Sequence, residues 1–129
     1  MSNQVLTHIS NISAEHSSWL RGIEFYNDEF RILKHRLEEA SFKNSAPEFK
    51  AKVEHFQNQF IVQESNLNHL KHEINTHFKH MEEDVELRAQ HLSNSTIAEH
   101  DGMRDKYVTT EKIVNELRHE FNHFLRGML

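Results

Sequence analysis

The feature that most constrains the fold is a hydrophobic stripe with a period of about 3.5 residues. In the first third of the chain it runs from Ile9 to Ala40 in alternating steps of three and four residues. Side chains at this spacing lie along one face of a long α-helix, and such faces are buried where helices pack side by side. The stripe therefore predicts an all-α fold of long helices.

Two polar segments divide the stripe into three helices. Residues 44–48 contain the only proline, and residues 93–96 read Ser-Asn-Ser-Thr. Thr96 and Glu99 have the spacing of a capping box, so we expect the third helix to begin at Thr96. The predicted fold is a single domain, residues 1–129: an elongated antiparallel bundle of three long helices with coiled-coil-like heptads.

A break in the second helix is the main alternative fold. No glycine or proline lies between Phe49 and Leu92, which favours one helix of about 45 residues, roughly 65 Å long at its usual rise per residue. A break near residues 63–66 would instead give a compact four-helix bundle, in which the second helix folds back on the first within one monomer.

Charge and composition narrow the possible partners. The chain has 15 lysines and arginines against 20 aspartates and glutamates, a net charge of −5 with histidine neutral. Binding to nucleic acids or anionic membranes depends on clustered basic residues, so we expect neither partner. Cysteine is absent, which excludes disulfides and thiolate metal sites. The sequence has no signal-peptide pattern and no long apolar run, so a cytoplasmic location is expected.

Alignment of the predicted helices across their short turns leaves one end of the bundle incomplete. Leu70 is expected to face Phe121, so that the third helix stops opposite about residue 62 of the second. The hairpin end of residues 26–62 would then expose an apolar seam, which predicts self-association as a homodimer. Seven residues form this predicted interface: Phe30, Leu33, Leu37, Phe49, Val53, Phe56 and Phe60.

Four polar residues occupy stripe positions and are expected to form a buried polar layer: His16, Tyr26, Gln63 and His77. Tyr26 is expected to pair with Gln63, and His16 to lie within about one layer of His77. Such a layer fixes the register of packed helices. A second hypothesis is a proton switch, because protonation of two buried histidines would lower stability as the pH falls.

The 12 histidines raise the alternative of a metal site. The pairs His69/Glu73 and His100/Asp105, with His16 upstream, resemble fragments of the hemerythrin pattern in the right order. The H-x-x-x-H pair of that pattern is missing, because Met81 stands four residues after His77. The resemblance implies a hemerythrin-like or other metal-binding four-helix bundle. Its candidate ligands are His16, His69, Glu73, His77, His100 and Asp105.

A second histidine motif points outward. Residues 119–123 match H-E-x-x-H, which on a helix can hold zinc. If Leu117 and Phe121 face the core, His119 and His123 face away from it, so we expect no catalytic zinc. The sequence therefore favours a non-enzymatic helical interaction or scaffold protein without a cofactor. Its expected partner is a second copy of itself, and another protein is a further candidate partner.

Overall fold

The computed structural model describes the backbone of residues 3–87 and 92–127, with side chains from Ile9 onward in these ranges. It contains three helices: α1, Asn3–Ser41; α2, Pro47–Leu87; and α3, Asn94–Arg126. The prediction of an all-α fold with three long helices is confirmed, and α2 continues without a break through residues 63–66. Within the described ranges, none of the helices carries an apolar stretch that could cross a membrane.

The residues of the hydrophobic stripe form one core that runs between the three helices. Phe30 of α1, Phe60 of α2 and Phe121 of α3 are completely enclosed, and the Phe60 ring lies 5.6 Å from Phe30 and 5.1 Å from Phe121. Burial of each large apolar side chain contributes roughly 1.5–3 kcal/mol to folding. The contact between Phe30 and Phe60 agrees with the predicted layer that joins these two residues.

The turn between α2 and α3 comes earlier than the sequence predicts. The helix α2 ends at Leu87, and Leu92 lies outside it. The N-cap of α3 is Ser93, whose Oγ accepts a hydrogen bond from the Thr96 N–H at 3.2 Å. The predicted start at Thr96 is wrong. Each of residues 93–96 can cap a helix, and Ser93, the first of the four, does so.

The early turn changes the register of α3 along α2. The Phe121 ring lies 5.2 Å from Phe56 and not beside Leu70 as predicted, and the Phe124 ring lies 5.4 Å from Phe49. This difference corresponds to roughly four helical turns. The helix α3 therefore covers the end of the α1–α2 hairpin that was expected to have only two helices.

This register corrects the predicted dimer interface. The side chains assigned to it are all buried inside one chain, with an exposed fraction of 8% or less. They are Phe30, Leu33, Leu37, Phe49, Val53, Phe56 and Phe60. The expectation of an open seam is wrong because α3 supplies Phe121 and Phe124 to the same layers. Dimerisation itself stays a prediction.

One glycine permits the close approach of α3 to α1. A Cβ atom at Gly22 would collide with the hydroxyl of Tyr107, whose ring also stacks on Trp19 with centroids 6.0 Å apart. Gly102 in α3 differs, because a Cβ atom there would meet no other atom within 4 Å. The two glycines have the same cost in helix propensity but different surroundings.

Replacement of each glycine by alanine should therefore change stability in opposite directions. Gly102→Ala should raise the free energy of unfolding by up to about 1 kcal/mol, because alanine loses less backbone entropy in a helix. Gly22→Ala should lower it by roughly 1–3 kcal/mol, because Tyr107 must leave its place against α1. Urea denaturation measures both values. Equal stabilisation by the two variants would contradict the packing of Tyr107.

Candidate functional site

Two histidines meet in the core near the α2–α3 turn. His77 of α2 and His100 of α3 are each 2% exposed, and the His77 Nε2 atom lies 3.1 Å from the His100 Nδ1 atom. The burial of His77 agrees with its place on the stripe. His100 was expected only as a metal-ligand candidate, although it stands three residues before Met103 at a stripe position. Extension of the α3 stripe by one step before Met103 would have identified His100 as a core position.

The two rings belong to a hydrogen-bonded chain that joins all three helices. At one end, the His77 Nδ1 atom lies 3.0 Å from Oε1 of Glu99. At the other end, the His100 Nε2 atom lies 3.1 Å from Oε1 of Glu15, which belongs to α1. Arg104 donates to both carboxylate oxygens of Glu15 at 2.6 Å. The order is therefore Glu99, His77, His100, Glu15 and Arg104.

This geometry sets the number of protons that a fully hydrogen-bonded chain would need. Each contact between a ring nitrogen and a carboxylate needs a proton on the nitrogen, and the contact between the two rings needs one proton between them. Three protons are required, whereas two neutral imidazoles carry only two. A chain in which every one of these contacts is a hydrogen bond would therefore carry one proton more than two neutral rings, and this single positive charge with that of Arg104 would balance the charges of Glu15 and Glu99.

The carboxylates at both ends are held in their charged form. The hydrogen bond from Arg104 lowers the pKa of Glu15 to about 2. Burial opposes the ionisation of Glu99, but its hydrogen bonds to His77 and His80 outweigh burial, and the net effect lowers the pKa of Glu99. Both carboxylates therefore accept hydrogen bonds throughout the pH range in which histidine titrates.

The surroundings of the pair resist a second positive charge. Burial lowers the pKa of His100, although Glu15 acts in the opposite direction. The Trp19 ring stacks on His100 with centroids 4.9 Å apart. Nearby, the His16 ring stacks on Phe78 at 4.0 Å, its Nε2 atom is buried without a hydrogen-bond partner, and burial lowers the pKa of His16. His16 is thus close to the layer of His77, but it is half-buried and not buried as predicted.

The other predicted members of the polar layer have different partners. Tyr26 and Gln63 are both buried, as expected. The Tyr26 hydroxyl accepts a hydrogen bond from Nδ2 of Asn115 at 3.2 Å, and the Gln63 side chain accepts one from Nδ2 of Asn66 at 3.5 Å. The predicted Tyr26–Gln63 hydrogen bond is therefore wrong. The helix α3, which the alignment placed elsewhere, supplies the partner of Tyr26.

The six metal-ligand candidates fall into two separate groups. His16, His77 and His100 lie near the polar layer. His69, Glu73 and Asp105 line a shallow groove between α2 and α3 with Lys106, whose Nζ atom lies 2.5 Å from Glu73. Among the described residues, no group of three or more potential ligands is arranged to hold a metal ion. His119 and His123 are exposed, which agrees with their predicted outward direction.

Comparisons with known proteins find no relative of this chain: no family model, no curated protein and no solved structure matches it. Functional inference therefore rests on the geometry of the chain itself.

Arg104→Gln should weaken the layer at its α1 end. Above pH 4.5, this variant should be less stable than the native protein by about 1–2 kcal/mol, because Glu15 loses a hydrogen-bonded cation at a partly exposed site. Since the pKa of Glu15 is lowered, its stabilising contribution is present above pH 4.5 and is lost as the pH falls towards 2. Between pH 4.5 and 2, the free energy of unfolding measured by urea denaturation should therefore decrease less in the variant than in the native protein.

Arg31→Gln is the matched control, because Arg31 makes only an exposed ion pair with Asp28 at 3.3 Å. It should change stability by less than about 0.5 kcal/mol. An equal effect of the two variants would contradict the special role of the Arg104–Glu15 contact.

Proposed function

We propose that this chain is a non-enzymatic helical interaction protein whose bundle closes at neutral pH and opens in mild acid. In this proposal the shared proton of the His77–His100 pair is the sensor. The observation that carries it is the buried contact between the two rings, because that contact tolerates one proton and not two. The expectations of self-association and of a cytoplasmic location stay predictions within this proposal.

A second proton on the pair would break the central hydrogen bond. Both rings would then be cations with N–H groups facing each other across a 3.1 Å contact, where burial limits solvent screening. The charged and titratable groups around the pair come from every helix. They are Glu15 and His16 of α1, His80 and Glu82 of α2, and Glu99, Asp101 and Arg104 of α3.

The sign of the pH dependence follows from the lowered pKa values of His16 and His100. In an unfolded chain both histidines would titrate near pH 6.5. In the folded chain burial lowers the pKa of both, so His16 and the second site of the pair, His100, bind their protons only at lower pH. As the pH falls below about 6.5, the unfolded state therefore binds more protons and the free energy of unfolding decreases. Glu15 does not contribute to this decrease, because its pKa is lowered from 4.5 to about 2 and the side chain is charged above pH 5 in both states.

Acid should separate the helices without melting them individually. His35 lies 2.9 Å from Glu39 and His69 lies 3.0 Å from Glu73, each four residues along its own helix. When the histidine is protonated, each contact becomes an ion pair that favours the helix by about 0.2–0.5 kcal/mol. Protonation thus favours helical structure at the surface and opposes packing at the His77–His100 pair.

The position of the pair supports a conformational role over a catalytic one. Three clefts of the described bundle are lined by other residues, and His77, His100 and Glu15 line none of these three. A catalytic group must reach a substrate, whereas these rings contact only the interior of the bundle. Opening would instead expose the Phe30–Phe60–Phe121 core, an apolar surface suited to a second copy of the chain.

Acid opening should be visible between pH 7.5 and 5. Near-UV circular dichroism and fluorescence of Trp19, the only tryptophan, should report loss of the packing around His100. Far-UV circular dichroism should show that most helix is retained, and binding of an apolar dye should increase. Light scattering should show a monomer at pH 7.5 and larger species at pH 5.

The decisive variant replaces the pair by apolar residues, His77→Leu with His100→Met. Arg104 still pairs with Glu15, and Glu99 is partly exposed to water, so neither carboxylate is left buried and unpaired. This variant should stay closed at pH 5. The control, His119→Gln with His123→Gln, also removes two histidines but from exposed positions, and it should open like the native protein. Opening of both variants at the same pH would contradict the proposal.

A further inference from the structure

The end of the bundle opposite the histidine pair contains a basic cleft with a volume of about 960 Å³. It lies where α1 ends, α2 begins and α3 ends. Four cations line it, and we call this set the basic cleft residues: Arg36, Lys43, Lys52 and Arg126. Phe49 and Phe124, whose ring centroids are 5.4 Å apart, supply an apolar wall.

The positive charge of this cleft is not balanced by the residues that the structure describes. Among the described residues, none of the four basic cleft residues forms an ion pair. Among the described residues of the lining, Glu39 is the only acidic one, and it lies 2.9 Å from His35. Elsewhere on the bundle, Lys34 and Lys106 pair with carboxylates of a neighbouring helix at 2.6 and 2.5 Å. A concentration of unpaired cations is notable in a chain whose net charge is −5.

The ends of the helices explain only part of this cluster. Lys43 and Arg126 lie at the C-terminal ends of α1 and α3, where backbone carbonyl groups favour cations. Lys52 lies five residues after the start of α2, beyond the first turn, to which the effect of the backbone dipole is confined. Arg36 lies five residues before the end of α1. The helix ends therefore give no reason for the convergence of Arg36 and Lys52 on the cleft, whereas a bound anion would.

We infer that the basic cleft binds a small organic phosphate with at least two phosphate charges and an apolar or aromatic group. Arginine forms paired hydrogen bonds to phosphate oxygens, and lysine supplies compact positive charge. The volume lies within the range of small-ligand sites. The Phe49 and Phe124 wall suits the apolar part of such a molecule. This site is distant from the His77–His100 pair, so phosphate binding and the pH response can be tested independently.

Isothermal titration calorimetry with adenosine triphosphate as the probe, without magnesium and at constant ionic strength, tests this inference. The double variant Lys43→Gln with Lys52→Gln should bind at least tenfold more weakly than the native protein. Lys71→Gln with Lys79→Gln is the matched control. It removes the same charge from exposed positions of α2 outside the cleft and should change the dissociation constant less than twofold. Far-UV circular dichroism confirms that both variants are folded.

Two outcomes would overturn the inference. One is no binding to the native protein, in which case Lys43 and Arg126 only stabilise helix ends. The other is equal weakening by both double variants, which would indicate non-specific attraction. Inorganic tripolyphosphate tests the apolar wall: weaker binding than adenosine triphosphate supports an organic ligand, and equal or tighter binding would overturn that part of the inference.

Discussion

The contact between two buried imidazole rings restricts how the three helices of this bundle can pack. His77 and His100 are enclosed by the core, yet each has both ring nitrogens in contact with a polar partner. A buried polar group that loses its partner costs about 1–3 kcal/mol. The layer therefore permits few alternative registers of α2 against α3, and it connects both to α1 through Glu15.

The hydrophobic core and the polar layer contribute different properties. The core supplies most of the favourable free energy, but a stripe with a regular spacing can slide by whole turns with little loss of apolar contact. The chain from Glu99 to Arg104 cannot slide, because each member has at least one specific partner at hydrogen-bond distance, and the two histidines and Glu15 each have two. We infer that packing stabilises the bundle and that the polar layer selects its register. The same layer makes that register sensitive to protonation.

The sequence predicts the elements of this fold better than their alignment. The spacing of apolar residues is a local property, so it identified three helices, the unbroken α2 and the buried position of His77. The position of the second turn depends on small differences between adjacent capping residues. An error of a few residues there placed Phe121 beside Leu70, although it packs on Phe56. That error produced the predicted dimer interface and hid the contact between His77 and His100. The pairing of Glu15 with His100 joins residues 85 positions apart, which no local pattern indicates.

Nitrogen NMR of the histidine side chains tests the central claim most directly. With ¹⁵N-labelled histidine at pH 7, the chemical shifts of the four ring nitrogens of His77 and His100 report how many carry a proton. A shared proton predicts three protons on the four nitrogens, with one of them between the two rings. His77→Gln and His100→Gln variants assign the signals. Two protons on the four nitrogens, the pattern of two neutral rings, would contradict the shared proton.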